Sequence, residues 1–182
     1  MKDFGAPERK YLRPEQGLTV IDGRVVEGYA SLFGVKDQGG DVVQAGAYRT
    51  SLARLAAKKA KVKMLWQHDP AQPIGVWDEV REDATGLWVK GRILTEVERG
   101  REAAALLAAG AIDGLSIGYR TLKSERDGKG RRLLSELELW EVSLVTFPML
   151  PEARVQAKSE DEWHWRQLAQ VFEDARRQLA ER

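Results

Sequence analysis

The stretch Asp113-Gly114-Leu115-Ser116-Ile117-Gly118-Tyr119 constrains this chain more than any other. An alanine-rich helical run leads into it and a strand-like run leads out, so Ser116 stands at a helix-to-strand corner between two glycines. Glycine admits positive φ and leaves room for another chain to approach. A hydroxyl placed there is within reach of a substrate carbonyl, but serine is a weak nucleophile and needs a base from elsewhere. The plainer reading is a tight turn that happens to contain serine. The order of elements also rules out one architecture. In an α/β-hydrolase elbow the strand comes before the serine and the helix after it, with the acid and then the histidine downstream. Here helix and strand are exchanged, the histidine downstream is His164 in a charged terminal segment, and no strand–helix alternation builds a parallel sheet.

A base is soon found, because the 182 residues hold two histidines, His68 and His164. Cysteine is absent, which removes disulfides, thiol nucleophiles and thiolate metal sites together and fits a reducing compartment. No metal or cofactor is expected. A hydrophobic fraction of 43% supplies a core, and the length suits one domain with a terminal appendage. A net charge of +1 argues against a dedicated nucleic-acid binder. The opening Met1 to Lys10 lacks the apolar centre of a signal peptide, and no apolar run approaches the length of a membrane span. A soluble protein made in a cytoplasm is expected.

Taken in order, residues 1–16 are polar, contain Pro7 and Pro14, and read as a flexible lead-in. Two strands joined at Asp22-Gly23 are expected between Leu18 and Val35, then a loop at Asp37–Asp41. Tyr48–Lys59 has helical composition, with Leu52, Leu55 and Ala56 on one face. Lys61–His68 reads as a strand that Asp69-Pro70 ends, and a hairpin follows over Pro73–Leu94 with its turn at Glu82–Gly86. Glu96–Ala109 is a helix stopped by Gly110. Strands over Leu115–Ser124 and Arg131–Phe147 complete a domain spanning 17–157, which Pro148 and Pro151 close. In residues 158–182, Trp165, Leu168, Phe172, Ala175 and Leu179 recur at spacings of three and four, giving an amphipathic helix. Its apolar seam either packs on the domain or meets a partner or a second copy, and two exposed tryptophans favour the latter.

Strand parity then gathers a site. Val62, Met64 and Trp66 share a face that by alternation includes His68. In the last strand Leu137, Leu139, Glu141, Ser143, Val145 and Phe147 share one parity, so Glu141 is a carboxylate on an otherwise apolar stripe. A buried carboxylate needs a partner, and the His68 imidazole is the natural one. Glu138, on the more polar face, is the weaker choice. A Ser116–His68–Glu141 relay follows, with His68 as general base and Glu141 fixing its tautomer. The alternatives stay open: His68 as a surface or cap residue, and Glu141 as a salt-bridge partner of Arg92 or Arg120.

Linked phrases in order carry a resemblance over residues 18–155. They are Glu27-Gly28-Tyr29-Ala30-Ser31-Leu32-Phe33, Gly46-Ala47-Tyr48, and Met64-Leu65-Trp66-Gln67-His68-Asp69 with Pro73-Ile74-Gly75. Gly86-Leu87-Trp88-Val89, Gly114 to Tyr119, and Trp140-Glu141-Val142-Ser143-Leu144-Val145-Thr146-Phe147-Pro148 continue the series. The chain resembles the prohead maturation serine proteases of tailed bacteriophages, which share the herpesvirus-protease type of fold. The resemblance implies an α+β fold, a mixed and mostly antiparallel β-barrel flanked by helices. It also implies an endopeptidase in the assembling procapsid, within the host cytoplasm, that cuts scaffold and capsid protein and commonly itself. His68 and Ser116 match the family's base and nucleophile, and Glu141 fits its acid. Related herpesvirus enzymes use a second histidine as third member and carry an arginine pair after it. Neither has a counterpart here, where the later stretch is Phe147-Pro148-Met149-Leu150-Pro151. Relatives with this fold often pair through a helix, so a homo-oligomer is possible. The competing expectation is a non-catalytic barrel that binds capsid proteins through the Trp163–Leu179 helix.

Overall fold

The computed structural model describes residues 8–12, 19–21, 24–37 and 39–146. The expected terminal helix in 158–182, the prolines that close the domain and the Asp22-Gly23 turn lie outside these residues.

The described elements are β1 (Glu8–Leu12), β2 (Thr19–Ile21), β3 (Val25–Leu32), β4 (Asp41–Val43), α1 (Arg49–Ala57), β5 (Lys63–Trp66), β6 (Asp69–Glu82), β7 (Gly86–Ile93), α2 (Glu98–Ala108), β8 (Gly114–Arg126) and β9 (Arg132–Val145). Most of them fall where the sequence placed helices and strands. The segment read as a lead-in contributes β1, which pairs antiparallel with β8 and sets Tyr11 opposite Ser116. The strand thought to stop at Asp69-Pro70 instead turns at Gln67-His68, and β6 starts at once from Asp69.

The strands form one sheet in the order β1-β8-β9-β5-β6-β7-β3-β2, with β4 also on β9. Pairing is antiparallel except where β4 and β5 run parallel to β9. The hydrogen-bond path ends at β1 and β2, so the expected barrel is a curled half-barrel with two helices against it. Inside the curl lie Val26, Met64, Ile74, Trp77, Ile117 and Val142, all close to fully buried. Each such side chain contributes about 1.5–3 kcal/mol of burial free energy. Trp77 also donates its indole N–H toward the carbonyls of Lys63 and Val142, 3.2 Å from each, which ties β6 to β5 and β9.

The helices brace the sheet. Helix α2 buries Ala103 and Leu107, one turn apart, and lies so close to the main chain that a Cβ on Gly100 would fall 2.0 Å from the Leu94 carbonyl oxygen. Helix α1 packs Leu52 and Leu55 partly against the core, yet its fully enclosed residue is Ser51. The Ser51 hydroxyl accepts the Leu139 N–H at 2.9 Å, and the Ala47 carbonyl accepts that of Leu137 at 2.9 Å. These bonds fill the edge of β9 between its β4 and β5 pairings.

Candidate active site

Strand β9 does not alternate as its sequence suggests. In its pairing with β8 the register moves from Tyr119↔Leu139 to Gly118↔Glu141, so Trp140 is an extra residue, a β-bulge. The bulge exchanges the faces. Leu137 and Leu139 enter the core before it, and Val142 and Leu144 after it. Glu141 and Ser143 therefore lie on the opposite face, not on the stripe that parity assigned to them. On β8, Leu115, Ile117 and Tyr119 point into the core. Ser116 and Gly118 consequently share the outer face with Ser143 and Glu141, which stand directly opposite them.

The histidine reaches this face by a similar irregularity. Met64 is in the core and Trp66 packs against it, so parity would send His68 the same way. Gln67 and His68 instead have φ of 50° and 64°, two consecutive left-handed residues that reverse the chain. Such conformations cost roughly 1–3 kcal/mol each in non-glycine residues and persist only where their surroundings hold them. Here β9 holds them. The Gln67 N–H donates to the Leu144 carbonyl at 3.0 Å, and its side-chain amide meets the Thr146 hydroxyl at 2.5 Å and the Thr146 N–H at 3.3 Å. The His68 N–H donates to the Ser143 hydroxyl at 3.2 Å.

With the turn fixed, the His68 ring meets the Glu141 carboxylate, Nδ1 to Oε1 at 2.5 Å. Both residues are 8% exposed. In so dry a place a charge is costly unless paired, and the remaining carboxylate oxygen, Oε2, accepts the Ser143 hydroxyl at 2.6 Å. With Nδ1 donating to the carboxylate, Nε2 carries the lone pair that can take a proton. Gly118 makes room for this arrangement: a Cβ on it would lie 2.1 Å from Glu141 Oε1.

The structure thus puts His68 and Glu141 in contact and sets Ser116 on the same face, across the β8–β9 ladder from Ser143. Ser116 is fully enclosed, at 0% exposure. Beside the pair opens a pocket of about 320 Å³, lined also by Lys63, Leu65, Pro70, Gly118 and Trp140, the last 40% exposed. Glu138 lies elsewhere, bound to Arg120 at 2.6 Å and Arg54 at 3.5 Å, while Arg92 is bound to Asp78. Neither arginine considered for Glu141 is its partner. Two further residues shape this face: Ser143, two positions beyond Glu141, to which the sequence assigned no role, and Gly118, read there as a turn glycine and small here beside Glu141. Among the described residues no three His, Cys, Asp or Glu side chains gather as a metal site, and no helix is long and apolar enough to cross a membrane.

The model of one protein family, the caudovirus prohead serine proteases, matches residues 14–167. The chain belongs to that family. It is 33% identical over 136 residues to the prohead protease of Enterobacteria phage HK97, covering 73% of this chain and 59% of that protein. It is 32% identical over 126 residues to the prohead protease of Escherichia phage T5, covering 68% of this chain and 57% of that protein. The chain therefore spans less than two thirds of the length of either relative. Among solved structures, that of the bacteriophage T4 capsid assembly protease superposes with a TM-score of 0.60 at 17% identity, over 78% of this chain and 98% of that one. That likeness is one of fold.

Proposed function

We propose that this chain is a serine endopeptidase of phage capsid maturation, acting inside the assembling procapsid in the host cytoplasm. Its substrates are scaffold and capsid protein, and itself. The protease domain spans 17–157. Family membership supports the setting, and one observation carries the chemistry: a buried His–carboxylate pair on the sheet face that also holds Ser116.

In this reading Ser116 Oγ attacks the scissile carbonyl as His68 Nε2 takes its proton. His68 then gives that proton to the leaving amine. Glu141 keeps Nδ1 protonated, aims the ring and offsets the imidazolium charge as it forms. A water molecule, activated by the same imidazole, releases the acyl group and regenerates the serine. Because Ser116 is enclosed, the groups around it must part before a peptide enters.

The test is co-expression with the shell protein, read by mass spectrometry for cut sites and for self-processing. The intact chain cleaves; Ser116→Ala, folded as judged by circular dichroism, loses roughly 10⁴- to 10⁶-fold in rate. Undiminished cleavage by that variant would remove the proposal.

A further inference from the structure

We infer that Ser143 is a positioning residue of this site, acting through both the acid and the base; the inference rests on the reading of His68 and Glu141 given above. Its one hydroxyl does two things. It donates its proton to Glu141 Oε2 at 2.6 Å and accepts the main-chain N–H of His68 at 3.2 Å. The first bond fixes the rotation of the carboxylate, so that the other oxygen meets His68 Nδ1. The second holds the left-handed main chain that delivers the imidazole to this face. Ser143 is 0% exposed, so water does not replace either bond when the hydroxyl is removed. It also stands directly opposite Ser116 and beside Leu65 on β5, so the strands bearing Ser116 and Glu141 and the strand that leads into the His68 turn meet at it.

The hydroxyl has an electrostatic effect as well. Its O–H disperses part of the carboxylate charge. Without it, more of that charge faces the imidazole and favours the imidazolium, so the acid limb of the pH profile moves to higher pH. Among the described residues that line the pocket, the other charged side chain is Lys63, which the substitution leaves in place.

The experiment compares the full-length chain with Ser143→Ala, Ser143→Cys and Ser143→Thr, measuring cleavage of purified shell protein as kcat and KM against pH. Ser143→Ala is expected to lose about 10- to 100-fold in kcat with KM within about threefold, and its acid limb to move upward. Ser143→Thr keeps the hydroxyl and is expected to keep the wild-type limb. If the alanine variant melts below assay temperature, Ser143→Cys decides, since its thiol fills the site but donates weakly; a loss of about tenfold is expected. A variant without the hydroxyl that folds and keeps the wild-type kcat and pH profile overturns the inference. A loss of kcat with an unmoved limb, unrescued by threonine, also overturns it, because a merely structural role gives that result. Ser116→Ala run alongside separates the two readings: an active Ser116→Ala sinks the nucleophile, whereas an inert one beside an unaffected Ser143→Ala sinks the positioning role alone.

Discussion

Adding one methyl group at Gly118 should disable the site while sparing most of the fold. A Cβ there would lie 2.1 Å from Glu141 Oε1, 2.7 Å from Cδ and 2.8 Å from Cγ. An ordinary contact needs 3.4 Å, so the carboxylate must retreat by about 1.3 Å. The obstacle is a side-chain end, which would move cheaply if it were loose. This one is held by His68 at 2.5 Å and Ser143 at 2.6 Å, and a retreat of that size breaks one bond or both. Misplacing a catalytic group by about 1 Å costs on the order of 10²-fold in rate. The overpacking itself costs about 1–3 kcal/mol, a fall in Tm of roughly 2–12 °C for a chain of this size. The assay is shell-protein cleavage by Gly118→Ala, below its melting temperature. The control is Gly128→Ala, in a turn where nothing lies within 4 Å of the added atom. The control should match wild type. A folded Gly118→Ala that cleaves within threefold of wild type would refute the reasoning.

Other expectations follow from the same geometry. Glu141→Gln should lower kcat by about 10³- to 10⁴-fold, whereas Glu138→Gln, which loses a partly exposed ion pair with Arg120 and Arg54, should change kcat less than threefold; the reverse pattern in single-turnover kinetics would reassign the acid. Trp77→Phe removes the indole donor from the Val142 carbonyl, a buried bond, and from that of Lys63, a part-buried one, and should cost about 1–3 kcal/mol in urea unfolding. Asp78 is held below the usual carboxylate range by the hydrogen bonds from Arg92. Its folded-state pKa is depressed, so its contribution is present above the unfolded value of about 3.9 and is lost as pH falls through the folded one. Asp78→Asn should therefore melt slightly below wild type at neutral pH and together with it in strong acid, by scanning calorimetry.

The sequence named the candidate side chains more readily than the paths that bring His68 and Glu141 together. Helices α1 and α2 and the β6–β7 hairpin were legible, because apolar spacing and turn residues are local signals. Parity, by contrast, misplaced both His68 and Glu141. Two left-handed residues at the end of β5 reverse one face, and the bulge at Trp140 exchanges the other. Each departure is held by contacts distant in the chain, Gln67 with Thr146 and Leu139 with Ser51, which no local pattern announces. The two reversals put both residues on the same side. Their meeting was thus expected on a face where it does not occur. Gly118 looked like turn chemistry, yet it lies within β8 and is small for the sake of Glu141. The parallel pairing of β5 with β9, which sets Lys63 beside Glu141 and Leu65 beside Ser143, joins segments too far apart in the chain for periodicity to link.

Covalent labelling with a serine-directed phosphonate, located by peptide mass spectrometry, tests the central claim most directly. The account predicts one adduct, on Ser116, that disappears in His68→Ala although the protein stays folded. Folded wild-type protein that takes no label, or takes it at Ser143 or any other serine, would contradict it.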